Sequence, residues 1–221
     1  MPSFYILNIW YYFIHIPFHQ KAGQNLKTVR EQVTIKLRDE LVAGQHEGGK
    51  VLRENDLAER LGVSRGPIRD AILQLASEGF LAYQANRGVT VKHPPNPRNR
   101  RFIVSLRTQI EEFAIQTGLE SITDEAIQEI ESALGELKKA CGSDDGAKVA
   151  RCDSAFHESI LISCGGEDFV NAWRQLCAKM LMQYSRLDNF QDVYGEHLRI
   201  FKAVRARDAQ KAIEAIKSNL Q

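Results

Sequence analysis

Residues 54 to 80 read ENDLAERLGVSRGPIRDAILQLASEGF, a pattern that sets two short amphipathic helices around a tight turn. Leu57, Ala58 and Leu61 give the first helix an apolar face, Gly62 ends it as a C-terminal glycine does, and Val63 fills the corner. Ser64 is placed as the N-cap of the second helix, and Pro67 sits in its first turn, where the missing N–H is no loss. Ile68, Ala71, Ile72 and Leu75 then recur at helical spacing. Arg65, Arg69 and Gln74 are expected on the opposite, polar face of a helix whose N-terminus attracts phosphate. That is a helix-turn-helix with a recognition helix suited to a major groove.

Downstream, LAYQANRGVTVKH (residues 81 to 93) alternates apolar and polar residues on both sides of Asn86-Arg87-Gly88. It predicts a two-stranded wing in which Leu81 and Tyr83 face Val89 and Val91, with Gly88 supplying the positive φ of a tight hairpin. Arg87, at the tip, reaches phosphates or a narrow minor groove. Upstream, Val29, Val33, Leu37 and Leu41 mark an amphipathic helix between Leu26 and Gly44.

The chain has 221 residues, 43% hydrophobic and 26% charged, which suits two cores of ordinary soluble protein. Net charge is +1, so phosphate attraction has to come from a local basic face rather than from the whole chain. Residues 20 to 95 carry 12 basic and 9 acidic side chains, against 17 and 19 in residues 96 to 221. Cys141, Cys152, Cys164 and Cys177 show no CxxC spacing and read as reduced thiols of a cytoplasmic protein. FYILNIWYYFIHIPF (residues 4 to 18) is apolar and aromatic, but short for a membrane span and without a basic start or cleavage site. An accessory helix or a membrane-surface anchor are alternatives; translation from an upstream start codon is the expectation for residues 1–25. His15 and His19 are spaced like metal ligands but have no third ligand nearby, and read as chance placement.

HPPNPRNRR, residues 93 to 101, concentrates prolines and closes the wing before a long helical run. Amphipathic segments follow at about 98–119, 123–141, 146–164, 167–187, 191–206 and 208–220. Short connections between them predict antiparallel packing in an all-helical bundle. Asp153 and His157 stand four apart on one helix face and His197 lies on a later helix, so a carboxylate and two imidazoles make a metal-ligand set.

The stretch from about 26 to 92, with its GVSRGPIR core, closely resembles the DNA-binding domain of the GntR family of bacterial transcription regulators. The resemblance implies operator contacts from Ser64, Arg65 and Arg69. It also aligns Asn55 with a position often held by a DNA-contacting arginine and Gly66 with a common threonine, and Arg87 and Gly88 belong to the wing. Residues 100 to 220 resemble the FCD effector domain of the FadR branch of that family, in which an aspartate and three histidines hold a divalent metal. Asp153, His157 and His197 match three ligand positions; the fourth is Asn219, a weaker, neutral donor. The metal that the resemblance implies would be zinc, manganese or nickel. Arg107 matches an arginine that receives an effector carboxylate, and it also stands i, i+4 to Glu111, as a surface ion pair would. Tyr184, Arg186 and Ser105 are further candidates for lining the effector cavity.

The expectation is a mainly α fold, with an N-terminal winged helix-turn-helix and a C-terminal all-helical bundle. The divisions are residues 1–25 as an atypical apolar segment, 26–93 as the DNA-binding domain, 94–100 as linker and 101–221 as the effector and dimerisation domain. The expected function is a cytoplasmic, nucleoid-associated homodimeric regulator, not a membrane protein. It binds an inverted repeat of double-stranded operator DNA and responds to a small organic acid. Two other readings stand beside it at this point: a regulator whose second domain is purely structural, and a metal-dependent enzyme built on the Asp/His set.

Overall fold

The computed structural model describes residues 27–84, 88–143, 145–182 and 190–220. The first helix, α1 (Val29–Val42), begins at a reciprocal cap. Thr28 Oγ1 accepts from the Glu31 N–H, while Glu31 accepts from the Thr28 N–H. Its buried face carries Val33, Leu37 and Leu41 onto α3 (Arg65–Glu78), which contributes Ile68, Ala71, Ile72 and Leu75. Between them, α2 (Glu54–Leu61) stops at Gly62, whose φ of 66° is the left-handed conformation that lets the chain turn at once into α3. Ser64 occupies the N-cap position with extended backbone angles, but its side chain makes no capping hydrogen bond. Gln74 departs from the sequence reading: it donates to Glu78, which Arg38 of α1 also engages through two nitrogens. That ties Gln74 to the α1–α3 seam.

The wing strands β2 (Leu81–Gln84) and β3 (Gly88–Val91) pair antiparallel, with Leu81 opposite Val91 and Tyr83 opposite Val89. A third strand, β1 (Val51–Leu52), joins the outer edge of β3 and makes the order β1-β3-β2. The sequence reading missed it because two residues carry no alternation to detect.

Beyond the wing come α4 (Pro97–Gly118), α5 (Asp124–Cys141), α6 (Gly146–Ser163), α7 (Val170–Leu181), α8 (Phe190–Arg205) and α9 (Ala209–Asn219). Their starts are chemically marked: Asn96, Thr123, Asp145 and Asp208 each accept a first-turn N–H with the side chain. The bundle packs around Phe156, Trp173, Ile115, Ile130, Ile200 and Ile213. Ala150 of α6 and Ala178 and Leu181 of α7 leave that core and enter the winged helix's own, beside Leu37, Ile72 and Leu75. Arg151 of α6 pairs with Asp39 of α1, and Arg100 donates to the Met180 carbonyl at 3.2 Å. Helices α6 and α7 therefore belong to both halves of the molecule.

The end of α4 lies against the backbone of Cys164, and a Cβ added at Gly118 would stand 2.0 Å from the Cys164 carbonyl oxygen. Gly118→Ala should therefore cost at least about 2 kcal/mol of stability, because backbone rather than a pliable side chain would have to move. A Cβ at Gly135, inside α5, meets nothing within 4 Å. Gly135→Ala should leave stability unchanged or raise it by up to about 1 kcal/mol. Urea unfolding of both variants checks the pair; equal effects would contradict this packing of α4.

Candidate functional site

Asn55, Ser64, Arg65, Gly66 and Arg69 are all exposed, on α2 and at the N-terminal end of α3, and Gly88 is exposed at the start of β3 with φ 87°. The first turn of α3 holds no acidic residue, which leaves its partial positive charge available to phosphate. Arg65 pairs with Glu54 at 3.5 Å and is 70% exposed, so it is readily freed. Arg87 lies outside the described residues. The sequence reading did not find what fixes the tilt of α2. Glu40 of α1 is buried, and its carboxylate accepts from both terminal nitrogens of Arg60 at 2.7 and 2.8 Å. The His46 ring lies 2.8 Å from the same group. Burial pushes the Glu40 carboxyl upward, but the Arg60 and His46 contacts outweigh it and hold the group below its ordinary value.

In the bundle, Asp153, His157 and His197 come together as the sequence spacing predicts, with ligand atoms within 4.8 Å of one another, and all three are buried. Their second contacts are specific. His157 Nδ1 lies 2.8 Å from Glu111 Oε2, and His197 Nδ1 lies 2.7 Å from the Val193 carbonyl. A carbonyl and an ionised carboxylate only accept, so both Nδ1 atoms donate and both Nε2 atoms face the cluster. His197 Nε2 stands 2.9 Å from Asp153 Oδ1, close enough for an ion pair but off the ring N–H direction, so it makes no hydrogen bond. Burial favours neutral His197, yet the Asp153 carboxylate and the Val193 carbonyl prevail and raise its pKa. Burial likewise acts against charge on Asp153, which the facing His197 nonetheless holds down at about 2.

Glu111 of α4 is the hub. It is buried, and its Oε1 accepts from Arg107 Nε and from Trp173 Nε1, each at 2.7 Å, while Oε2 takes His157. Arg107 is buried as well and its guanidinium lies 5.4 Å from the centre of the Trp173 ring. The i, i+4 pair of the sequence is thus an interior one. One guanidinium nitrogen, Nη2, is buried with no hydrogen-bond partner among the described residues. Burial strips solvent from Glu111, but the Arg107 guanidinium and the His157 contact outweigh it and drive its carboxyl far below the ordinary range.

Asn219 approaches from α9, its Oδ1 3.1 Å from His157 Nε2 and its Nδ2 donating to Glu196 at 2.9 Å. Ser105 does not join this group: it is exposed on α4 and accepts from Gln109. Two positions away on a helix is the opposite face from Arg107. Tyr184 and Arg186 lie outside the described residues. Glu111, Trp173 and Glu196 were missed as site residues, since an aromatic or acidic residue in an amphipathic helix reads first as core or as surface.

The donor set fits a divalent cation. Two imidazole Nε2 atoms and a carboxylate converge, the Asn219 amide oxygen lies beside one of them, and among the described residues the buried His197 Nε2 has no hydrogen bond. No helix of the described residues is long and apolar enough to cross a membrane.

Comparison with known proteins matches residues 29–91 to the bacterial regulatory proteins of the gntR family and residues 103–221 to the FCD domain. The chain is 25% identical over 197 residues to the gluconate operon transcriptional repressor of Bacillus licheniformis, covering 85% of this chain and 80% of that protein. It is 23% identical over 192 residues to the probable D-xylose utilization operon transcriptional repressor of Paenarthrobacter nicotinovorans, covering 86% and 84%. Among solved structures, E. coli McbR/YncC superposes with a TM-score of 0.69 at 22% identity, over 89% of this chain and 95% of that one.

Removing the charge of Glu111 while keeping its shape would strand Arg107 as a buried cation. Glu111→Gln should cost about 3–5 kcal/mol at neutral pH. Both Glu111 and Asp153 titrate below their ordinary values. The stability they add is complete above the unfolded-state pKa of about 4 and is lost as pH falls toward the folded values. In excess chelator, wild-type protein should lose stability steeply over that acid range, and Glu111→Gln less steeply. Denaturant midpoints measured from pH 7 downward check this; parallel curves would contradict it.

Proposed function

The chain belongs to the GntR family of bacterial regulatory proteins and carries an FCD domain, and from that premise we propose that it is a repressor released or tightened on its operator by a small carboxylate. It is a DNA-binding transcription regulator, of a family that regulates transcription rather than catalysing a reaction. The repressor reading is supported by two relatives whose names are those of operon repressors.

The observation that carries the effector reading is the partnerless Nη2 of Arg107, buried beside Asp153, His157 and His197. A buried charged donor without an acceptor costs free energy, and a carboxylate oxygen is the acceptor its fork is shaped for. Asp153, His157, His197 and Asn219 would hold the metal, which when bound supplies a fixed positive charge for the acid's remaining oxygens. Arg107 is kept in place from behind by Glu111 and stacked by Trp173, so the carboxylate meets an ordered cation.

Transmission has a physical route. Asp153 and His157 share α6 with Ala150 and Arg151, which engage the winged helix, and Trp173 shares α7 with Ala178 and Leu181, which do the same. A ligand that prefers one tilt of α6 and α7 thereby prefers one setting of α3. One recognition helix covers one half-site, so the operator-binding unit is a homodimer on an inverted repeat. Phe102 and Phe113, exposed at 65% and 51%, together with Phe169 edge-on to Phe113 at 5.6 Å, support a dimer contact along α4.

Thermal shift against a library of small acids is the direct test. Wild type should be stabilised by one class of carboxylate and Arg107→Met by none; equal stabilisation of both would remove Arg107 from the site. On DNA selected from random duplex, Arg65→Ala and Arg69→Ala should each cost about 1–3 kcal/mol at the selected site and much less on unselected duplex. Equal losses on both duplexes would reduce these arginines to phosphate contacts. Phe113→Glu should shift sedimentation toward the monomer; an unchanged dimer would move the interface elsewhere.

A further inference from the structure

Between α6 and α9 two hydrogen-bond acceptors face each other. His157 Nδ1 is committed as a donor to Glu111, so a neutral ring points its Nε2 lone pair at Asn219 Oδ1, 3.1 Å away. Nothing about an asparagine forces that orientation: turned by 180°, its Nδ2–H would donate to the same lone pair and close the contact as an ordinary hydrogen bond. Glu196 prevents the turn. Its Oε2 accepts from Asn219 Nδ2 at 2.9 Å, and a carboxylate cannot donate to Oδ1 in exchange. Glu196 immediately precedes His197 on α8, so the same turn of helix supplies one imidazole of the cluster and sets the amide opposite the other.

We propose that Glu196 is a positioning residue that presents the Asn219 amide oxygen, rather than its nitrogen, as the fourth donor of a cation site completed by Asp153, His157 and His197. The inference rests on the metal reading above and adds to it how this chain completes the set without a third histidine. The two donor separations, 2.9 Å for His197–Asp153 and 3.1 Å for His157–Asn219, agree with the cation class. Donors at about 2.1 Å from a shared ion stand about 3.0 Å apart when they meet at a right angle and about 3.4 Å apart at a tetrahedral one. Two oxygens and two imidazole nitrogens are donors that a divalent ion such as Mn²⁺ or Zn²⁺ accepts. The same acceptor-to-acceptor contact would also be satisfied by a proton on His157, and the experiment separates the two.

The test is calorimetric titration of MnCl₂, and separately of ZnCl₂, into the metal-stripped full chain, with unfolding temperature recorded for each variant without metal. Wild type should bind one equivalent. Glu196→Gln, whose amide can donate to Oδ1 and so permits the turned asparagine, should bind Mn²⁺ about 10–100-fold more weakly. Adding Asn219→Asp to Glu196→Gln should restore affinity, because a carboxylate has no wrong face; a merely structural role for Glu196 would not be rescued this way. Wild type that binds Mn²⁺ while Glu196→Gln binds equally well would overturn the role given to Glu196 and leave the metal reading intact. Wild type that binds neither Mn²⁺ nor Zn²⁺ would overturn the metal reading itself and assign the His157–Asn219 contact to a proton. Weakening in Glu196→Gln without rescue by Asn219→Asp, or accompanied by a comparable fall in metal-free unfolding temperature, would also count against positioning.

Discussion

The buried carboxylate of Glu111 is the interaction on which the helical half depends. It sits where α4, α6 and α7 meet and takes Arg107, His157 and Trp173 at once, so three helices are registered by one ion. A lone charge at that depth would be untenable, and the geometry supplies what makes it tolerable: an adjacent guanidinium and direct donors to both oxygens. This arrangement constrains everything around it. It orients His157 so that Nε2 faces the cluster, and it draws Arg107 into the interior, where one of its nitrogens is left without an acceptor. Hydrophobic packing alone would hold the bundle together, but it would not produce that directionality.

The second constraint is that the two halves share helices rather than a linker alone. Small residues of α6 and α7, Ala150 and Ala178, let those helices approach the winged helix closely, and Leu181 fills the gap between them. The Arg151–Asp39 pair adds little stability where it is partly exposed, but it fixes azimuth. A rotation of α6 that repositions Asp153 and His157 would also displace the contacts that Ala150 and Arg151 make with the winged helix. On the DNA side, α1 in turn holds α2 through Glu40 and Arg60, and α3 through Arg38 and Glu78. The recognition helix is at the end of a short chain of packed and charge-paired contacts that begins at the acid-and-imidazole cluster.

Much of this was legible beforehand, for physical reasons that differ by region. The winged helix could be read because Gly62 and Gly88 mark its turns with positive φ and the apolar positions of α3 repeat without interruption. The bundle's helices could be read from their caps, Thr123 and Asp208 among them. The Asp153, His157 and His197 cluster was visible because Asp153 and His157 share one helix face at i, i+4 and all three match ligand positions of the family resemblance. The environment of those residues was not visible. Arg107 and Glu111 look identical as a solvated i, i+4 pair and as a buried one, since burial is a property of what α6 and α7 bring to them. Trp173 reads as core, which it is, and nothing in the sequence shows that its N–H finds Glu111. Gln74 was assigned to the DNA face because helical period alone cannot tell a polar residue at the seam from one in solvent. Arg87, Tyr184 and Arg186 fall outside the described residues, and their roles rest on the sequence.

The central claim is that the cluster and the recognition helix are coupled through α6. The most direct measurement is the ratio of operator affinities with and without saturating Mn²⁺, in wild type and in Arg151→Ala, a residue proposed to touch neither metal nor DNA. Coupling through α6 predicts a ratio different from one in wild type that moves toward one in Arg151→Ala, while the affinity for Mn²⁺ itself is preserved. A metal-dependent ratio in wild type that survives unchanged in Arg151→Ala would contradict this route.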